Sequence, residues 1–207
     1  NLLKGFIIGI GKIIPGVSGS VLAITLGVYD KSVEYINNFK HNKKESLKYL
    51  LPLGIGIIIS IIIFSKIITI LLDKYYQITM LFFIGLIIGG LPEIIKKVKK
   101  QDNIIVGTSF IIFFIISISN LNSNYILKGN ILDIIILFIS GLLEAIGTVV
   151  PGVSSSALLM ILGTYNIILS SIGNITSISV ILTNIKIIIP FLLGVFLGII
   201  TLIKIID

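Results

Sequence analysis

Residues 11–30 read GKIIPGVSGSVLAITLGVYD, and residues 147–166 read GTVVPGVSSSALLMILGTYN. Extended to residues 5–30 and 141–166, the two stretches align without a gap and share twelve identities, among them Pro15/Pro151, Ser18/Ser154 and Tyr29/Tyr165. Apolar composition can align any two membrane helices, but it does not place Pro, Gly, Ser and Tyr in register. After a two-residue insertion the match resumes: Leu51-Pro52 corresponds to Ile189-Pro190, Gly56 to Gly194, and Lys66-Ile67-Ile68 to Lys204-Ile205-Ile206. The chain therefore carries an internal duplication. Repeat 1 covers about residues 1–72, connecting helices about 76–121 and repeat 2 about 137–207, within one transmembrane domain over residues 1–207.

Around these motifs the chain is apolar. Of its 207 residues 56% are hydrophobic and only 12% are charged, with a mean hydropathy of +1.16. Apolar segments cover residues 2–14, 17–29, 49–72, 78–95, 104–121, 131–150, 153–170 and 185–206. Spanning ~30 Å of hydrocarbon takes ~20 helical residues, and most of these segments approach that length. A soluble enzyme, a disulfide-stapled secreted fold and a disordered tail are excluded. The runs are continuous rather than alternating, which excludes a membrane β-barrel. The fold class is all-α: a polytopic membrane protein. The segments 2–14 and 17–29 are each too short to cross, and Pro15-Gly16 between them cannot continue a helix smoothly. They predict a re-entrant or broken helical hairpin, repeated at Pro151-Gly152 and followed each time by a transmembrane helix. Residues 1–14 lack a small-residue cleavage site and read as part of the mature fold rather than as a signal peptide.

The net charge of +7 comes from Lys alone, and nine of the sixteen Lys fall in two short loops: 31, 40, 43, 44 and 48, then 96, 97, 99 and 100. Clustering beside spans is the positive-inside pattern of a multi-pass protein, not a nucleic-acid surface; such patches also attract anionic lipid headgroups. If residues 2–29 re-enter and leave on one side, three spans separate the two hairpins, and the second copy is inverted relative to the first. Both Lys-rich loops then face the cytoplasm, and the uncharged residues around 173 face outside. If instead each broken element crosses once, the copies are parallel.

The two breaks carry the chemistry. Pro15, Gly16, Val17, Ser18, Gly19 and Ser20, and Pro151, Gly152, Val153, Ser154, Ser155 and Ser156, each put small residues where a helix restarts, with Pro expected near its first position. The first N–H groups of such a helix have no intrahelical acceptor and carry partial positive charge; small residues let a ligand reach them, and Ser hydroxyls add donors. That is an anion site suited to phosphate or carboxylate, and paired broken helices are expected to meet near the midplane. The plainer alternative is that Gly and Ser merely allow close helix packing. Ionisable groups inside apolar segments come next. Lys12 lies three residues before Pro15, with Thr148 as its counterpart; Glu144 stands where repeat 1 has Ile8. Glu144 is a candidate for pairing with Lys12 or for proton coupling. Lys66 and Lys204 recur at equivalent positions and are candidates for lipid or substrate contact. Asp133 is expected to cap a helix start, and His41 to be solvated.

The chain has one His, no Cys and no Arg, so neither a His/Cys metal cluster nor a Ser-His-Asp arrangement can be assembled in the membrane, and no P-loop signature is present. Transport without covalent chemistry, cofactor or metal is the expectation.

The doubled Ile/Val-Pro-Gly-Val-Ser motif followed by Leu-Gly-x-Tyr, together with Phe64-Ser65-Lys66 and the run from Phe83 to Gly90, resembles the polyprenyl-phosphate (undecaprenyl-phosphate) transporter family of bacterial membranes, the PopT family. The resemblance implies a flippase of the bacterial cytoplasmic (inner) membrane that returns undecaprenyl phosphate from the outer to the inner face for cell-wall synthesis. It also implies that the two Pro-Gly-Val-Ser segments bind the phosphate and that Lys66 and Lys204 hold basic positions of the family. Lys12 departs from the Asp or Asn common there, and Ser155 replaces the usual Gly. Repeat 2 stops at Asp207, before any counterpart of residues 78–100, so its closing helix is expected to be missing. Expected partners are membrane lipids and the polyprenyl phosphate substrate, with homo-oligomerisation left open and no nucleic acid. The competing readings are a channel or carrier for a small anion such as phosphate, and a non-transporting interaction subunit.

Overall fold

The computed structural model describes residues 1–97, 125–174 and 178–206, with a few isolated positions between 104 and 115. Every element among the described residues is helical. Repeat 1 opens with α1 (Leu2–Ile13). It stops at Ile14, which precedes Pro15-Gly16 and adopts the extended conformation (φ −77°, ψ 119°) that a following proline favours; Pro52, Pro92 and Pro190, with no glycine after them, lie inside helices. Val17 N–H then donates to Ile14 O at 3.2 Å, closing a turn with Pro15 second and Gly16 third at φ +87°. That is the pattern of a type II turn, which needs glycine at its third position. The helix restarts not at the proline but at Gly19, with Ser18 as N-cap accepting from Val21 N at 3.4 Å. The same sequence of events recurs in repeat 2: α6 (Ile131–Val149) ends before Pro151, Gly152 has φ +87°, and Ser154 caps α7 (Ser155–Ile161) by accepting from Ala157 N at 3.4 Å.

A second break, not expected from hydropathy, follows in each copy. α2 (Gly19–Thr25) ends at Leu26-Gly27, and α7 ends at Leu162-Gly163. Gly27 N donates to Ile24 O and Val28 N to Ala23 O, both at 2.9 Å, while Gly163 N and Thr164 N make the matching bonds to Met160 O and Leu159 O, both at 3.0 Å. This pair of bonds is the Schellman stop, with glycine in the left-handed conformation. So the apolar stretches 17–29 and 153–170 are not continuous helices; each turns and continues as α3 (Tyr29–Asn37) or α8 (Tyr165–Gly173). The bend between α7 and α8 is 119°.

A single 3₁₀ turn (Asn38–Lys40) leads to α4 (Lys43–Lys74), then α5 (Tyr76–Lys97); α9 (Ile178–Ile206) closes the described chain. Among the described residues, three helices are long and apolar enough to cross a membrane, Lys43–Lys74, Ile131–Val149 and Asn184–Ile205, and the bent α7–α8 pair makes a fourth if it counts as one span. In α5 the apolar part, Tyr76–Pro92, is shorter than a span, and most of the expected segment 104–121 lies outside the described residues. Asp133 does cap: it accepts from the N–H groups of Lys128, Gly129 and Asn130 and from the Tyr125 hydroxyl, completing a capping box with Asn130.

The first helix of each repeat packs on its long helix through glycines. A Cβ on Gly5 would fall 2.1 Å from Leu53 O and one on Gly56 2.1 Å from Leu2 O; in repeat 2, Gly141 and Gly194 meet Phe191 O and Phe138 O at the same 2.1 Å. These residues are counterparts one for one, so the duplication extends to the backbone contact. Backbones this close exclude any side chain, the close-packing mode of membrane helices. The main buried cluster, with Ile13, Leu72, Phe83, Leu137, Leu159, Tyr165 and Phe191, joins both repeats. Large apolar side chains such as Ile58, Leu81, Leu193 and Phe196 are left exposed over the long helices, as a lipid environment requires of a membrane protein.

Candidate functional site

The two Pro-Gly-Val-Ser loops, far apart in sequence, meet in the structure. Gly16 N–H donates to Ser154 Oγ at 3.3 Å, and Ser18 Oγ–H donates to Val153 O at 3.2 Å. Ser20 is buried, with its Oγ 3.1 Å from Val150 O and 3.3 Å from Gly147 O. Ser18 also shares a hydrogen bond with Ser20 (2.9 Å), and Ser154 with Ser156 (3.1 Å). The reason these hydroxyls turn inward is an unmet need. The last carbonyls of α6 lack intrahelical donors, and the Ser20 hydroxyl of the other repeat lies against them.

Tyr29 and Tyr165 fill the same need in reciprocal fashion. Tyr29 OH donates to Val149 O at 2.5 Å, and Tyr165 OH donates to Ile13 O at 2.8 Å. Each tyrosine thus caps the first helix of the opposite repeat. The two were noted in the sequence as identities, but nothing local signalled this role. At the far end of the same helices, Lys4 Nζ donates to Leu26 O (2.7 Å), and its counterpart Ser140 bonds Thr164 Oγ1 (2.9 Å), so equivalent positions also tie down the two Leu-Gly turns.

Lys12 lies under the loops. Its Nζ is 2.6 Å from Glu144 Oε1 and 2.5 Å from Thr148 Oγ1, and both charged side chains are 11% exposed. Its stem runs past the start of α2, where a Cβ on Gly19 would come within 2.6 Å of Lys12 Cγ. The geometry pairs Glu144 with Lys12.

The surroundings of the loops are unequal. Ile87 of α5 covers the first: a Cβ on Gly16 would meet Ile87 Cγ1 at 2.5 Å, and Pro15 is buried. Pro151 and Gly152 are exposed, and no described residue lies within 4 Å of a Cβ on Gly152. α2 and α7 have seven residues each, so their dipoles are short. Attraction for an anion rests on individual donors instead: among the described residues the N–H groups of Gly19, Ser20, Ser155 and Ser156 lack an acceptor. Lys66 and Lys204 are exposed, and no hydrogen bond or ion pair among the described residues joins them to the loops. Beside Tyr165 a cavity of about 290 Å³ opens between Leu72, Tyr76, Met80 and the α7–α8 turn.

Residues 8–207 match the VCA0040-like family, described as undecaprenyl phosphate translocase-like. A polyprenyl-phosphate transporter of Staphylococcus aureus (strain NCTC 8325 / PS 47) is 29% identical over 191 residues, which cover 86% of this chain and 67% of the relative. A polyprenyl-phosphate transporter of Vibrio cholerae serotype O1 (strain ATCC 39315 / El Tor Inaba N16961) is 27% identical over 190 residues, 82% of this chain and 59% of the relative. The chain thus spans roughly three fifths to two thirds of the length of these relatives. No solved structure matches it. With paired Pro-Gly-Val-Ser loops in an all-helical membrane fold and a family match across nearly its whole length, the chain belongs to the undecaprenyl phosphate translocase-like family.

Proposed function

We propose that this chain moves polyprenyl phosphate across the bacterial cytoplasmic membrane as a multi-pass protein. It carries undecaprenyl phosphate from the outer to the inner face and returns the lipid carrier to cell-wall synthesis without covalent chemistry. The observation that supports this best is the meeting of the two loops over Lys12. The loops bond each other there through Gly16 N–H to Ser154 Oγ and Ser18 Oγ–H to Val153 O, beside the Lys12–Glu144 pair, and this supports a shared site for a phosphate. The substrate's phosphate binds at Pro15 to Ser20 and Pro151 to Ser156, with the headgroup shared between repeats. The cavity beside Tyr165 has room for part of a prenyl chain and adjoins the loop through the Tyr165–Ile13 bond, which favours a lipid over a free ion.

The repeats are inverted with respect to the membrane in this reading. Asn37 and Gly173 end α3 and α8 and are counterparts, yet they lie far apart along α4. Asn37 leads through the 3₁₀ turn into the start of α4, whereas Gly173 packs against Lys66, 23 residues further on. At 1.5 Å per residue that is about 35 Å, more than the ~30 Å hydrocarbon thickness.

The experiment is reconstitution of the purified chain into liposomes with labelled undecaprenyl phosphate. Flipping above protein-free liposomes is expected. Uptake of inorganic phosphate without lipid flipping would overturn the lipid reading in favour of a small-anion carrier.

A further inference from the structure

The Lys12–Glu144 pair breaks the reciprocity of its surroundings. Lys12 and Thr148 are counterparts, while the counterpart of Glu144 is Ile8, so the duplication does not generate this pair twice. An ion pair largely withdrawn from solvent stands between two repeats whose tyrosines exchange equivalent hydrogen bonds. Stability alone does not account for it, because a well-packed apolar pair of similar volume is often as stable as a buried ion pair. What the carboxylate does accomplish is occupancy of the ammonium. Of the three Lys12 donors, one is on Glu144 and one on Thr148. The Lys12 stem lies beside Gly19, next to the N–H groups of Gly19 and Ser20 that lack an acceptor.

The geometry points to Glu144 as an internal counter-anion: it holds the Lys12 ammonium while the loops are empty and yields it to a phosphate monoester when one enters. This deepens the reading of the loops as a phosphate site and rests on it. Carboxylate and phosphate present anionic oxygens to an ammonium at the same short distance, but a phosphate has more charge and more oxygens. It can therefore bond Lys12 and neighbouring N–H groups at once, which Glu144 cannot. No covalent bond is made or broken. Lys12 keeps an anion throughout the exchange, so its ammonium is never left buried without a counter-charge; the displaced Glu144 carboxylate gives up its partner, and that is the cost Glu144→Gln removes. When the phosphate leaves, Glu144 reclaims its partner, and release requires no water to take the phosphate's place.

The test uses the purified full chain in nanodiscs and two probes, undecaprenyl phosphate and inorganic phosphate, with folding followed by circular dichroism. Glu144→Gln removes the competing charge and keeps the shape, so phosphate binding is expected to tighten by about tenfold or more. The apolar double variant Lys12→Met, Glu144→Leu leaves no unpaired charge; it is expected to fold while losing at least about tenfold in binding. Folded Glu144→Gln that binds both probes no more tightly than the parent overturns the proposal. So does a folded double variant that binds as the parent does, and the double variant alone decides if Glu144→Gln fails to fold. Should these changes appear with inorganic phosphate but not with undecaprenyl phosphate, the counter-anion exchange stands and the lipid reading falls. No binding of either probe by any folded variant overturns both.

Discussion

Lys12 and Thr148 occupy the same position in the two repeats, and they touch: Lys12 Nζ donates to Thr148 Oγ1 at 2.5 Å. Contact between counterparts is what an exchange of the two copies about their interface produces. The flanking bonds obey the same exchange, since Tyr29 to Val149 and Tyr165 to Ile13 are images of each other. The exchange fails at Lys12 and Thr148 themselves, where one copy supplies an ammonium and the other a hydroxyl with a carboxylate beside it.

The tyrosines test this exchange. Tyr165 is 4% exposed, and its hydroxyl satisfies a carbonyl in the last turn of α1. Tyr165→Phe leaves that carbonyl unmet and is expected to cost about 1–2 kcal/mol. Tyr29→Phe, at a less buried position, should cost less. Denaturant unfolding in detergent measures both, and a Tyr165→Phe variant as stable as the parent would show that Ile13 finds another donor.

Ser18 and Ser154 act at the loops themselves, in bonds between the repeats. The double variant Ser18→Ala, Ser154→Ala should bind polyprenyl phosphate about tenfold more weakly and flip it correspondingly less, as each site loses a hydroxyl worth a charged hydrogen bond. Unfolding has to be followed separately, because the same hydroxyls bridge the loops. If the folded double variant binds and flips as well as the parent, the motifs are packing devices.

Gly16 and Gly152 share φ +87° but differ in what lies beyond the Cα. Alanine at either position costs about 1–2 kcal/mol of left-handed strain. At Gly16 the new methyl also meets Ile87, so Gly16→Ala should be clearly more destabilising than Gly152→Ala, and adding Ile87→Ala should recover the difference. Equal losses in thermal unfolding would show that Ile87 moves aside freely.

The absence of cysteine makes membrane sidedness directly measurable with single introduced thiols. A thiol at Asn42 is expected to react from the cytoplasm, as is one near Lys99, which lies outside the described residues. A thiol at Asn174, after the end of α8, is expected to react from outside. Labelling of Asn174 and Asn42 from the same side would make the repeats parallel.

Much of the architecture was legible because its causes are local. A proline followed by glycine favours a turn over a continued helix, a type II turn needs its glycine, and an apolar run of a given length is long enough to span. The Leu-Gly stops at Leu26-Gly27 and Leu162-Gly163 are equally local, but hydropathy does not mark them, because it does not fall there while backbone conformation changes. The candidate site was legible only as composition. The duplication aligns Lys12 with Thr148 and Tyr29 with Tyr165, but alignment pairs counterparts and is silent on which non-equivalent residues meet. Equivalence likewise singled out Lys66 and Lys204, and both side chains are exposed.

By itself, then, the sequence determined an all-helical membrane chain, its duplication, and the points where each copy must break, since each of these follows from a residue and its immediate neighbours. Only the tertiary structure decided that the serine hydroxyls turn toward the opposite repeat, that each tyrosine caps the other copy's helix, and that Lys12 closes on Glu144. Those choices belong to carbonyls, hydroxyls and charges that a helix end or an apolar interior leaves without a partner. Which group satisfies them depends on where the chain returns in space, more than a hundred residues later.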